Sequence, residues 1–227
     1  METKHYAVAL DGPSGAGKST LAKAVAKELG IMYVDTGAIY RVIGLAARRS
    51  GIKPRDEAAV TALLPSLDVR MEHGTDGVQR MYLGGEDVSD EIRLPEISMY
   101  ASAVSAHAPV RTFLLEMQRK LAREQNVIMD GRDIGTVVLP DAEVKIFLTA
   151  DVEVRAKRRF LELEQRGTPK PYDEVLAELR ERDWNDTHRD VAPLREAEDA
   201  VRADTSNLDF EQSTALILQI IRERAGL

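Results

Sequence analysis

The segment that most narrows what this chain can fold into is Gly12-Pro13-Ser14-Gly15-Ala16-Gly17-Lys18-Ser19-Thr20, which follows an apolar run over residues 6–10 and opens a helical pattern. Glycines at these spacings let backbone N–H groups converge on a phosphate that any Cβ would obstruct. A helix beginning near Lys18 adds its free N–H groups and the positive end of its dipole to the same anion. Lys18 supplies a mobile charge to β and γ phosphates, and the Ser19 hydroxyl is suited to coordinate Mg²⁺. The arrangement demands a strand, a tight loop and a helix in that order.

The rest of the chain repeats that grammar. Short continuous apolar runs at 6–10, 31–34, 127–129, 144–148 and 200–203 end in or beside Gly or Asp, and helical patterns follow. Continuous runs of this kind are buried parallel strands covered by helices on both faces. The expected fold is therefore α/β, a doubly wound parallel sheet. Leu21, Ala24, Val25 and Leu29 share a helical face that stops at Gly30, and Val110, Phe113, Leu114, Met117 and Leu121 share another after Pro109. Further helices are expected over about 152–165, 172–185 and 209–224. Between 67 and 93 the pattern alternates instead, with Leu67, Val69 and Met71 on one side, turns at 73–77 and Gly84-Gly85, and Val88 beyond. That is a small antiparallel meander, too poor in apolar residues to fold alone.

The 227 residues suit one large domain, and 31 Lys plus Arg against 38 Asp plus Glu give a net charge of −7. Such a balance argues against nucleic-acid binding through the overall field, so any polyanion must meet a local basic site. No cysteine is present, which excludes disulfides, thiolate-bound zinc and a thiol nucleophile. No run of about 18 apolar residues is available to span a membrane, and residues 1–6 do not lead into a signal-type apolar region. The expected location is the cytoplasm. The loop motif implies ATP or GTP, but no Asn-Lys-x-Asp segment for reading guanine occurs. A small-molecule kinase is the first reading, and a nucleotide-sensing regulator is the other.

Arginines recur in four places. Asp35-Thr36-Gly37-Ala38-Ile39-Tyr40-Arg41 follows the second strand, where a hydroxyl, a helix start and an arginine meet the carboxyl end of a sheet. The third strand runs into Asp130-Gly131-Arg132-Asp133-Ile134-Gly135-Thr136, with Asp130 where a magnesium-side carboxylate is expected and a flexible turn after it. Arg155, Lys157, Arg158, Arg159 and Arg166 lie on one helix and its exit, closed by Gly167-Thr168-Pro169. This basic helix is either a solvated face braced by i,i+4 pairs or a lid that lowers arginines onto ATP phosphates. Arg182, Asp186 and Arg189 are spaced to share a face of the next helix. His5, His73, His107 and His188 have no metal-binding spacing, and Trp184 is read as a packing residue.

These segments, with Glu181-Arg182-Asp183 and Val191-Ala192-Pro193-Leu194, make the chain resemble the bacterial cytidylate kinases, nucleoside monophosphate kinases of the P-loop class. The resemblance runs over essentially the whole chain. It implies five parallel strands, a core over 1–35, 106–150 and 190–227, and a monophosphate-binding subdomain over 36–105 enlarged by the meander. It also implies a short helical lid over about 151–170, with its following helix at 171–189. The implied activity is transfer of the γ-phosphoryl group of ATP to CMP or dCMP with Mg²⁺, in pyrimidine nucleotide metabolism. Carried over residue by residue, Gly12 to Thr20 would bind ATP, and Lys18, Arg132, Asp133 and the lid's Arg158 would serve catalysis. Arg41, Arg132 and Arg189 would bind the acceptor phosphate, Ser102, Arg111 and Asp133 the cytosine, and Arg182 with Asp186 the sugar, and Thr36 would also bind CMP. Ser19 and Asp130 would lie on the metal side. The chain departs from the usual pattern at Ser19, where many members have Gly, and at Thr36, where Ser is frequent. Partners are expected to be small nucleotides alone, acting on a monomer.

Overall fold

The computed structural model describes residues 5–226, so the expectations touching residues 1–4 and 227 lie outside it. In chain order the elements are β1 (Ala7–Asp11), α1 (Lys18–Leu29), β2 (Met32–Asp35), α2 (Thr36–Arg49), α3 (Glu57–Leu63), β3 (Val69–His73), β4 (Gln79–Leu83) and β5 (Glu86–Asp87). Then follow α4 (Pro95–Val104), α5 (Ala108–Glu124), β6 (Val127–Gly131), β7 (Val144–Thr149), α6 (Val152–Gln165), α7 (Tyr172–His188), β8 (Val201–Asp204) and α8 (Phe210–Ala225). Two compact units divide the described residues, one made of 5–33 and 125–226, the other of Val34–Glu124.

Five strands form a parallel sheet in the order β2-β6-β1-β7-β8, and three form an antiparallel sheet in the order β3-β4-β5. The doubly wound sheet and the meander read from the sequence are both present. β1 is central and buried along its whole length, which is why Ala7 to Leu10 read as an unbroken apolar run. In the first unit, Leu21, Ala22, Val25 and Ala26 of α1 and Ile217, Leu218, Ile220 and Ile221 of α8 pack with Val8, Leu10, Ile128, Ile146 and Leu148. Each buried Val, Leu or Ile side chain among them contributes roughly 1.5 to 3 kcal/mol by leaving water. α8 opens with a capping box from Asp209 and Gln212, and both α1 and α8 close on a left-handed glycine, Gly30 and Gly226. α6 and α7 carry a small cluster of their own, Ala156, Leu163, Val175 and Leu179.

In the second unit, α2 and α4 approach closely at Gly44, where a Cβ would stand 2.9 Å from the Ala101 nitrogen. Met81 of β4 is buried opposite Met71, and Val69 is buried opposite Leu83, so the alternation read over 67–83 is the pleat of this hairpin.

Several readings need correction. α5 begins at Ala108 and buries Val110, Arg111, Leu114 and Gln118, while Phe113 turns outward. Arg111 and Gln118 hold interior positions by bonding the backbone at Ser105 and Leu114, which apolar periodicity cannot register. Trp184 is exposed and stacks on His188 with ring centroids 3.5 Å apart, rather than packing inside. The turn after Asp133 is one π-type helical turn, Ile134–Val138. Arg189 lies just past the end of α7 in an extended conformation, so it does not share that helix's face. Among the described residues no helix is long and apolar enough to cross a membrane.

Candidate active site

β1 delivers the chain into the phosphate loop at Gly12, whose φ is +150° and whose Cβ would lie 2.0 Å from the Leu148 carbonyl oxygen of β7. Only glycine fits there. Gly17, at φ +90°, turns the chain into α1, and no side chain caps that helix. Its first N–H groups are thus directed at the loop, as anion binding requires. Lys18 is buried and donates from Nζ to the Pro13 carbonyl at 2.8 Å. Burial, and then the positive charge of Arg132, hold its pKa well below the usual lysine value, against the pull of Asp130 and Asp186.

Asp130, near the end of β6, accepts from Ser19 Oγ at 2.6 Å and from Tyr33 Oη at 3.0 Å. A hydroxyl and a carboxylate meeting beside the loop form an oxygen donor set that suits Mg²⁺. Tyr33 was not anticipated, because a tyrosine inside a short strand carries no signal of a partner 97 residues away.

Arg132 donates from Nε to Asp186 at 2.6 Å and from Nη1 to the Gly131 carbonyl at 3.2 Å. Burial opposes its charge, but Asp186, Asp130 and Asp11 outweigh that and raise its pKa. Asp186 is held below the usual carboxylate range because the charges of Arg132 and Arg182 outweigh its own burial. Arg189 donates to the Ala192 carbonyl at 2.6 Å and reaches Asp133 Oδ1 at 3.5 Å. The first unit therefore gathers Lys18, Asp130, Arg132, Asp133, Arg182, Asp186 and Arg189, all singled out by sequence, around the carboxyl ends of β1 and β6.

Asp11 is an addition to that set. It ends β1, is buried, and accepts from the Ile134 and Gly135 amides at 2.8 and 2.7 Å. Burial pushes its pKa up to about 6, although both amides pull it down. The signal was available, since an apolar run closing on a carboxylate is the same feature that singled out Asp130.

On the basic helix, Arg155 is buried and donates to the carbonyls of Ala150 and Ser14 and to Asp183. Arg158 bonds the Thr205 carbonyl at 2.7 Å and reaches that of Leu208. Arg159 and Arg166 both pair with Glu162. In this conformation these four arginines have protein partners. Within the second unit, Thr36 is the buried first residue of α2, Arg41 lies 4.0 Å from Asp35, and Arg111 is buried over the Tyr40 ring. Ser102 is exposed on α4.

A parallel sheet with a phosphate loop at the end of its central strand, a buried loop lysine and a serine–aspartate pair beside it defines a P-loop nucleotide-binding protein. The fold alone is shared with the crystal structure of an uncharacterized protein from Eubacterium ventriosum, at a TM-score of 0.52 and 12% identity over 97% of this chain and 100% of that one. The chain belongs to the cytidylate kinase family, whose model matches residues 8–223. It is 50% identical over 217 residues to a cytidylate kinase of Caldicellulosiruptor bescii, covering 96% of each chain. It is also 48% identical over 217 residues to one of Geobacter sulfurreducens, covering 96% of this chain and 93% of that one. The protein is thus a kinase, as the motifs implied.

Proposed function

We propose that the protein transfers the γ-phosphoryl group of ATP to CMP or dCMP, giving CDP or dCDP and ADP. The observation that carries the reading is the gathering of Lys18, Arg132, Arg182 and Arg189 with their carboxylates at the mouth of the phosphate loop, in a protein whose net charge is −7. Two polyanions can be neutralised there without a basic surface elsewhere.

Phosphoryl transfer leaves little covalent work for a protein, so catalysis rests on position and charge. Lys18 leaves the Pro13 carbonyl for the β and γ oxygens, and the uncapped N–H groups of α1 with those of Gly12 to Thr20 bind the phosphates. An anion beside Lys18 also offsets the repulsion from Arg132 that depresses its pKa. By the roles that the family resemblance implies, Arg41, Arg132 and Arg189 bind the acceptor phosphate, and Thr36 contributes to binding CMP. Asp133 accepts from the cytosine N4 amine, Ser102 and Arg111 donate to the ring, and Arg182 with Asp186 binds the sugar. Ser19 and Asp130 would hold Mg²⁺, which would supply charge neutralisation at the ATP phosphates when bound. The α6–α7 pair serves as the lid, with Arg158 exchanging the Thr205 carbonyl for a phosphate.

A coupled assay of ADP release across CMP, dCMP, UMP, AMP and GMP tests the reading. Turnover that depends on CMP or dCMP and exceeds that with the other acceptors is expected. Equal use of UMP, or ADP release that ignores the acceptor, overturns it.

A further inference from the structure

Asp35 ends β2, an edge strand of the parallel sheet, and is the N-cap of α2. The inserted segment holds it from two directions. Its backbone N–H donates to Gln79 Oε1 at 2.7 Å, and Gln79 Nε2 donates back to the Asp35 carbonyl at 3.1 Å. The buried Gln79 amide thereby pairs with the strand end as a neighbouring peptide would, satisfying both backbone groups at a sheet edge. Asp35 Oδ1 accepts from the Ala38 amide at 3.0 Å, and Oδ2 accepts from Arg93 Nη1 at 2.8 Å while Arg41 Nη1 stands 4.0 Å away. Gly37 leaves room for this carboxylate, since a Cβ there would lie 3.1 Å from Oδ1. Gln79 comes from β4, and Arg93 from the single 3₁₀ turn Glu91–Arg93 that follows β5. Neither was singled out by the sequence.

Thr36 and Arg41 occupy the first two turns of α2, and the direction in which that helix leaves β2 is set at Asp35. We propose that the inserted sheet braces the acceptor-phosphate site, with Gln79 and Arg93 acting as positioning residues that hold Asp35 and through it Thr36 and Arg41. The inference rests on the acceptor role proposed above for those two residues. Arg93 also takes the Asp35 oxygen more closely than Arg41 does, so its loss would let Arg41 collapse onto that carboxylate.

Steady-state kinetics of Gln79→Leu, Arg93→Gln and the control Arg80→Gln separate this from a purely structural role. Arg80 sits beside Gln79 in β4 but pairs with exposed Asp76. Losing one hydrogen-bonded anchor of the buried Asp35 is expected to raise KM for CMP about tenfold in each of the first two variants. KM for ATP and kcat should stay within about twofold, and Arg80→Gln should match wild type. An unchanged KM for CMP in both variants overturns the brace. So does a uniform loss affecting both substrates together with a lowered melting temperature. Should Gln79→Leu fail to fold, Arg93→Gln carries the test, because that guanidinium is half exposed and its removal opens no cavity. If wild type does not prefer CMP in the acceptor panel, the functional reading fails first and the brace falls with it. A wild type that does prefer CMP leaves the variants to judge the brace alone.

Discussion

Asp11 offers a test of the site's electrostatics that does not depend on turnover. Its carboxylate is buried and accepts one amide per oxygen, from Ile134 and Gly135, yet burial dominates and moves its pKa from 3.8 up to about 6. A carboxyl group whose pKa is higher in the folded state binds more protons folded than unfolded between those two values. Folding is therefore favoured as the pH falls through 6 toward 3.8, and the contribution is absent above about pH 7. The full gap corresponds to about 3 kcal/mol, of which roughly 1.4 kcal/mol develops between pH 7 and pH 5. Asp11→Asn cannot titrate. It also turns an NH₂ group against one of the two amides, a loss of roughly 1 to 3 kcal/mol that does not vary with pH. Urea unfolding of both proteins at pH 5, 6 and 7 gives the stability difference. It should widen in favour of wild type by roughly 1.4 kcal/mol on going from pH 7 to pH 5, with all other titrating groups cancelling. A difference that is flat with pH, or that widens toward alkaline pH, would mean that the two amides and Lys18 outweigh burial, and the reasoning would be refuted.

Three further outcomes follow from the same site. Lys18→Ala should lower turnover at least about 100-fold with the fold intact, since no other loop side chain brings a full charge to the β and γ oxygens; near-normal turnover in the folded variant contradicts the role. Asp133→Ala should shrink the preference for CMP over UMP, roughly 10 to 100-fold in wild type, mainly by weakening CMP. An unchanged ratio would remove Asp133 from reading the base. Amides from about 155 to 170 should exchange more slowly when ATP-site and CMP-site ligands are both bound than in the free protein, and equal protection in the two states would make α6 a solvated, salt-bridged helix instead.

The sheet was legible because its strands are buried on both faces, and the phosphate loop because its chemistry fixes residue types at fixed spacing. What escaped was every feature decided by a distant partner. α4 carries a short apolar pattern that means little until α2 packs beside it at Gly44. Phe113 was assigned inward because periodicity counts it as apolar, whereas Arg111 takes the interior by donating to the Ser105 carbonyl. Tyr33, Gln79 and Arg93 function through bonds spanning 97, 44 and 58 residues, for which local pattern offers no sign. The basic helix leaves two readings open in the sequence, a salt-bridged face or a lid: Arg159 and Arg166 pair locally with Glu162, while Arg155 donates to the Ser14 carbonyl of the phosphate loop.

The strand ends share one feature, and it bears on how the site is built. The apolar runs stop at Leu10, Val34 and Met129, and the strands continue into Asp11, Asp35 and Asp130, all three buried. A carboxylate at the end of a buried strand is costly unless donors reach it, and each is reached by a different set. Asp11 takes the amides that open the turn after Asp133, Asp130 takes Ser19 and Tyr33, and Asp35 takes Ala38, Arg93 and, through its backbone, Gln79. The partners are the segments carrying Asp133, the phosphate loop and the start of α2, to which the proposed mechanism gives its chemistry. The desolvation of each carboxylate is offset only when its segment is in place, so the bonds that make buried charge tolerable also orient those segments. Substituting any of the three by an apolar residue of similar size should therefore disturb activity more than stability, because it relieves the buried charge while releasing the segment that the charge had held.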